Sequence, residues 1–140
     1  MVIVDTSVWV GFFAGRSNPR VRILESLLAR GEDIGLCGVI LAEVLQGIRD
    51  DREYRKTRTY FDDLLFLPMT RDTFVQAAEI YRSLRRRGVT VRKPVDCMIA
   101  SVAIENNAPL LHNDHDFDPI AKYCGLRAVQ PTSESRTSAH

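Results

Sequence analysis

Long apolar runs, paired cysteines and a surplus of either charge are missing from this sequence, and each absence removes a class of protein. No apolar stretch approaches the roughly 20 residues that a membrane-crossing helix needs. No basic region followed by an apolar one opens the chain, so neither a secretion signal nor a membrane partner is expected. The three cysteines, Cys37, Cys97 and Cys124, match no metal-ligand spacing. They read as small hydrophobes in a reducing compartment, which makes the cytoplasm the expected location. A formal net charge of +1 gives no global attraction for a polyanion, so any nucleic-acid contact must come from local clustering. The glycines build no phosphate-cradling loop, and no serine–histidine–acid arrangement or internal repeat is visible.

What is present suits one domain: 140 residues, of which 45% are hydrophobic. Val2-Ile3-Val4 is a short β-branched run that stops at Asp5, the pattern of a buried parallel strand. Asn18 and Pro19 cap and open a helix whose Val21, Leu24, Leu27 and Leu28 keep helical spacing to Gly31. Ile34–Cys37 reads as a second strand, followed by a helix from about Gly38 to Gly47. Asp51 begins a charged helix with Tyr60, Phe61, Leu64 and Leu65 toward its end, and Phe66-Leu67 offers a short strand. Thr70 caps a helix with the stripe Phe74, Ala77, Ala78, Tyr81 and Leu84, and Pro94 opens another running to Glu105. Pro109 to His112 is a strand entering an acidic loop. Asp118 and Pro119 cap and open a small helix, and Arg127-Ala128-Val129 is a candidate last strand. Strands alternating with amphipathic helices predict a three-layer α/β domain with a mostly parallel sheet over residues 1–130, and 131–140 read as a flexible tail.

Ligands of such sheets bind beyond the C-terminal ends of the strands. Asp5 and Asp114 both stand there. For Asp5 alone a capping role is the plainer reading. Glu43 lies within Val39 to Leu45, apolar almost all round, and an unpaired buried carboxylate is costly. Asp96 opens the apolar run Cys97 to Ile104; helix-dipole stabilisation explains its place in the first turn but not its apolar surroundings. Asp116 is a weaker ligand candidate beside Asp114, and Asp118 a cap. His112 and His115 read as surface or supporting groups. Carboxylates converging on one sheet edge repel unless a cation relieves them, and oxygen-only ligation selects Mg²⁺ or Mn²⁺ over zinc. Such an ion suits phosphodiester hydrolysis.

The positive charge is clumped. Arg82, Arg85, Arg86, Arg87, Arg92 and Lys93 precede Asp96, and Arg49, Arg52, Arg55, Lys56 and Arg58 follow the Glu43 helix. Solvated helix faces paired to Asp50, Asp51 and Glu53 would account for some of this. A basic path beside an acidic centre is also what a polyanionic substrate requires.

Four strings in this order carry a family resemblance: Val2-Ile3-Val4-Asp5-Thr6-Ser7-Val8-Trp9, Leu41-Ala42-Glu43-Val44-Leu45-Gln46-Gly47, Pro94-Val95-Asp96-Cys97-Met98-Ile99-Ala100, and Leu111 to Ala121 around Asn113-Asp114-His115-Asp116. From Met1 to about Gln130 the chain resembles PIN-domain ribonucleases of the VapC toxin type, from VapBC toxin–antitoxin modules. The resemblance implies a PIN-like fold and an endoribonuclease using Mg²⁺, with Mn²⁺ as a substitute. Asp5, Glu43, Asp96 and Asp114 would form the catalytic and metal-binding site, with Asp116 as an auxiliary ligand and Thr6, Ser7 and Asn113 supporting it. It also implies water-mediated hydrolysis without a covalent intermediate, a homodimer, and a VapB-like antitoxin that reaches operator DNA on the toxin's behalf. Arg82, Arg85, Arg86, Arg92 and Lys93 would then meet RNA or antitoxin.

Two other readings compete. A non-catalytic PIN-type module binding RNA or protein would keep the acids as an ion site. An aspartate-phosphorylating domain fits Asp5 superficially, but a phosphatase of that kind would carry an aspartate where this chain has Ser7, and a receiver's late lysine would not fall inside a helix as Lys122 does.

Overall fold

The computed structural model describes residues 1–130; the expected tail, 131–140, lies outside the described residues. Four parallel strands form the sheet: β1 (Val2–Val4), β2 (Ile34–Cys37), β3 (Leu65–Leu67) and β4 (Leu110–Leu111), in the order β3-β2-β1-β4. Ile3 of β1 lies opposite Gly35 on one side and Leu110 on the other. The helices α1 (Thr6–Phe13), α2 (Pro19–Ala29), α3 (Gly38–Gln46), α4 (Asp51–Phe61), α5 (Arg71–Arg86), α6 (Pro94–Glu105) and α7 (Asp118–Cys124) flank it. This is the α/β class expected from the alternation of short strands and amphipathic helices.

The order of the strands decides where a site can form. From β1 the chain steps outward to β2 and β3, then returns through α5 and α6 to place β4 on the other side of β1. The connections after β1 and β4 therefore diverge, and a crevice opens where they part. Asp5 and Asp114 stand at that crevice, one residue after β1 and three after β4. Strands this short are held by what packs on them: Ile3, Val4, Leu36, Leu110 and Leu111 are all buried. Trp9 on α1 is fully buried and stacks against Phe13, with Phe61 of α4 edge-on at 5.1 Å. The ends of α5 and α6 are tied by hydrogen bonds. Thr73 Oγ1 donates to Glu105 Oε1 at 2.7 Å, and Ser101 Oγ donates to the Thr73 carbonyl at 2.8 Å.

Asn18 caps α2 as expected, its side chain accepting from the Val21 amide at 3.0 Å with Pro19 in the first turn. Three expectations fail locally. The charged helix stops at Phe61, so Leu65 belongs to β3 rather than to a helix end. Arg127 to Val129 make a single bridge, Ala128 to Leu110, instead of a strand. Asp118 does not cap α7 but is its first residue, because a 3₁₀ turn (His115–Phe117) precedes it and Asp114 caps that turn.

Gly35 sits where a Cβ would lie 2.8 Å from Leu67 Cδ1, 3.1 Å from Ile3 Cγ1 and 3.2 Å from Met1 Sδ. Gly35→Val is expected to destabilise the domain by about 1–3 kcal/mol through overpacking. In urea unfolding the midpoint should fall with the slope unchanged; an unaltered midpoint would show that the sheet opens freely at this point.

Candidate metal centre

Each acid reaches the crevice by a different route. Asp5 follows β1 directly, its amide donating to the Leu111 carbonyl at 2.9 Å, which locks it against the end of β4. It caps α1, and its Oδ2 accepts from the Ser7 amide at 3.0 Å and from Ser7 Oγ at 2.6 Å. The capping reading and the site reading are therefore compatible, since the cap engages one carboxylate oxygen. Ser7 Oγ also accepts from the Asn113 amide at 2.9 Å, so one hydroxyl ties the end of β1 to the loop after β4. Thr6 Oγ1 donates to Glu43 Oε1 at 2.8 Å and brings half-buried Glu43, on α3, to the same neighbourhood.

Asp96 lies in the first turn of α6, which Pro94 opens. It is buried, and its Oδ2 has no hydrogen-bond partner among the described residues. The nearest cation, Lys93 Nζ, stands 3.8 Å from that oxygen, beyond hydrogen-bond reach. Burial above all pushes the Asp96 carboxyl up to about 7; Lys93 pulls it down, while the charges of Asp5, Asp114 and Asp116 push it further up. The helix dipole that would favour its charge does not overcome desolvation.

Asp114 behaves in the opposite sense. Its Oδ1 accepts from the Asp116 amide at 2.9 Å and its Oδ2 accepts from Lys93 Nζ. Burial raises its pKa, but the Lys93 hydrogen bond, the Asp116 amide and nearby positive charge together hold it below the ordinary carboxylate value. Asp116 completes the group, its Oδ2 3.7 Å from Lys93 Nζ and 3.9 Å from Arg92 Nε. Asp96, Asp114 and Asp116 each offer an oxygen within 4.8 Å of the others.

The trio thus joins Asp116, an auxiliary candidate on sequence, to Asp96 and Asp114. Asp5 lies outside it but close enough for its charge to act on Asp96. Glu43 is joined through Thr6 rather than through the trio. Of the basic residues, Lys93 and Arg92 turn into the acids. Arg82, Arg85 and Arg86 stay exposed on α5, with Arg85 over the Tyr81 ring. Sequence reasoning did not find Lys93 among the carboxylates; its place three residues before Asp96 was the available signal. Nor did it separate the two histidines. His112 is buried, with burial foremost lowering its pKa, and its Nδ1 accepts from the Asp114 amide at 3.2 Å. His115 is exposed and pairs with Asp118 at 3.0 Å.

Several features fit a hard divalent cation: an all-oxygen donor set, a buried carboxylate oxygen without a partner, and mutual repulsion that one ammonium only partly relieves.

A model of the PIN domain matches residues 2–123. VapC ribonuclease Mb1587 of Mycobacterium bovis is 38% identical over 131 residues, spanning 92% of this chain and 98% of that relative. Ribonuclease VapC21 of Mycobacterium tuberculosis is 37% identical over 101 residues, 70% of this chain and 72% of the relative. Among solved structures, VapBC2 from Rickettsia felis bound to a DNA fragment from its promoter superposes with a TM-score of 0.73 at 21% identity, covering 92% of this chain and 98% of that one. VapBC-1 from nontypeable Haemophilus influenzae gives 0.71 at 18% identity, covering 94% and 98%. At those identities the structural likeness speaks for the fold alone.

The raised pKa of Asp96 has a definite sign. Between the ordinary carboxylate value and about 7 the folded chain binds a proton that the unfolded chain has lost, so this group's contribution to stability falls as pH rises through that window. Without divalent metal, Asp96→Asn is therefore expected to melt higher than the wild type at pH 8, with the gain vanishing near pH 5, where the wild-type carboxyl is already protonated. Melting curves at both pH values check this. An equal gain at the two would place the effect in packing rather than charge.

Proposed function

The chain belongs to the PIN-domain family, among the VapC-type ribonuclease toxins, and from that premise we propose that it is a Mg²⁺- or Mn²⁺-dependent endoribonuclease, the toxin of a toxin–antitoxin pair. The observation that carries this reading is the buried Asp96 oxygen without a partner, set against Asp114 and Asp116. Asp5, Glu43, Asp96, Asp114 and Asp116 would hold the ion. Bound there, it would supply charge neutralisation and an activated water for attack on phosphorus.

The chain's own residues set the geometry around that chemistry. Ser7 fixes one oxygen of Asp5 and leaves the other for the site. Thr6 holds one oxygen of Glu43 and leaves the other for the site. Asp114 is kept ionised by Lys93 and the Asp116 amide. Arg82, Arg85 and Arg86 form an exposed positive strip for RNA phosphates or for antitoxin acids.

For partners, the reading is a VapB-like antitoxin, through which operator DNA is reached indirectly, and a second copy of the chain. The exposed Val10, Phe13 and Tyr60 beside the Trp9 cluster, and Phe66 at the sheet edge, give apolar surface on which a partner can dock. No helix among the described residues is long and apolar enough to cross a membrane; a cytoplasmic location belongs to the same proposal.

Antitoxin-free chain incubated with total RNA is expected to cut at discrete sites with Mg²⁺ or Mn²⁺, not with EDTA, and not when asparagine replaces Asp96. Metal binding without cleavage of any RNA would instead favour the non-catalytic module. Thr6→Val removes only the hydrogen bond to Glu43 and should lower metal affinity or activity by roughly 10–100-fold with the fold intact. Unimpaired cleavage by that variant would show that the Thr6 hydrogen bond does not position Glu43 for the chemistry.

A further inference from the structure

A cavity of about 210 Å³ adjoins the acidic centre through Asp114 and is lined by Arg20, His112, Asn113 and Asp118 among others. Its hydrogen-bond donors have no job in the site described above. Arg20 is the second residue of α2, and its Nε is buried without a partner; no carboxylate among the described residues pairs with its guanidinium. A guanidinium stays charged, and a buried N–H without an acceptor is costly, so the arrangement calls for an anion or acceptor from outside. His112 adds a second donor. Its Nδ1 accepts from the Asp114 amide, so that nitrogen carries no proton and the neutral ring must bear it on Nε2. Asn113 spends its backbone amide on Ser7 and keeps its exposed side-chain amide available.

The wall thus carries the Arg20 guanidinium and two neutral N–H donors around a space large enough for a tetrahedral oxyanion. They face the carboxylates of Asp114 and Asp118, which keep their charge but are hydrogen-bonded to Lys93, the Asp116 amide and His115. Because the cavity shares Asp114 with the metal centre, an anion held there would lie next to the reacting group, as a flanking phosphate of a single strand does.

We propose that this cavity is a subsite for a backbone phosphate of single-stranded RNA neighbouring the one that is cut, with Arg20 carrying the countercharge and His112 Nε2 and the Asn113 amide donating to its oxygens. The assignment rests on the ribonuclease reading and deepens it: Arg20 fixes the register of the strand across the acids.

Binding without turnover separates the two ideas. The full chain carrying Asp96→Asn is titrated, in EDTA, against a fluorescein-labelled single-stranded RNA decamer, and anisotropy is followed across salt concentrations. Adding Arg20→Met should weaken binding about fivefold and reduce the slope of log affinity against log salt by about 0.7, one phosphate contact. Arg22→Met, an exposed arginine of the same helix bonded to Ser17, should leave the slope nearly unchanged. Should Arg20→Met fold poorly, Arg20→Lys and Asn113→Ala carry the test: lysine is expected to keep the slope, and alanine to weaken binding about twofold. Equal effects of the Arg20 and Arg22 substitutions, or an unchanged slope in Arg20→Met, overturn the proposal. Weakened binding of a protein partner by that variant would then assign the cavity to an acidic segment. Failure of RNA cleavage with metal, beside an intact slope difference in EDTA, would count against the nuclease reading and leave the subsite standing.

Discussion

Three carboxylates with oxygens within 4.8 Å of one another repel, and the protein holds them together only because other interactions outweigh that repulsion. The sheet is the first of these. With β1 flanked by β2 and β4 and its side chains buried, the ends of β1 and β4 cannot move apart without opening the core. Lys93 is the second. Its single ammonium stands within 4.0 Å of all three acids of the trio and is itself held charged, foremost by its hydrogen bond to Asp114. One charge cannot neutralise three, and the shortfall falls on the most buried member, Asp96, whose pKa rises while that of Asp114 falls. Burial drives the rise at Asp96, where Lys93 offsets it only in part, and against burial the hydrogen bond from the same lysine drives the fall at Asp114.

The polar residues around the acids have the same origin. A carboxylate in a crevice needs its lone pairs engaged or its charge removed. Asp5 is served by Ser7, Glu43 by Thr6, and Asp114 by Lys93 and a backbone amide. Only Asp96 keeps a buried oxygen with no donor among the described residues. A rigid scaffold that leaves one buried carboxylate oxygen without a donor concentrates its unmet demand at that point. A divalent ion binding at that point would release a proton from Asp96 near neutral pH, so its affinity would rise with pH through that range.

Much of the fold was legible because its signals are local. The β-branched run before Asp5, the Asn18-Pro19 cap and the apolar run after Asp96 each fix an element from neighbouring residues alone. The rule that ligands sit beyond parallel strand ends then pointed to Asp5 and Asp114 before any contact was known. The failures were tertiary. Leu65 has the spacing of a helix end but is drawn into pairing with Gly35 at the sheet edge. Asp118 has every mark of a cap, yet Asp114 takes the cap of the preceding 3₁₀ turn and leaves Asp118 one position inside the helix. Lys93 looked like one basic residue among several, because nothing in a linear charge run tells which member folds inward.

That inward turn bears on how a substrate and a metal would share the crevice on the proposed function. A divalent ion among Asp96, Asp114 and Asp116 needs the space and the oxygens that the Lys93 ammonium also uses, and two cations at such range repel strongly where water is partly excluded. Lys93 is nearly half exposed on a long flexible stem, whereas Asp96 is fixed in the first turn of a buried helix, so the lysine is the partner that can yield. An ammonium leaving the acids remains tethered within a side chain's length of the site. The anionic group that an acidic centre would otherwise repel is the natural place for it to go. On the proposed function, the same lysine would hold the acids together before a metal arrives and offset the charge of an anionic substrate once a metal displaced it.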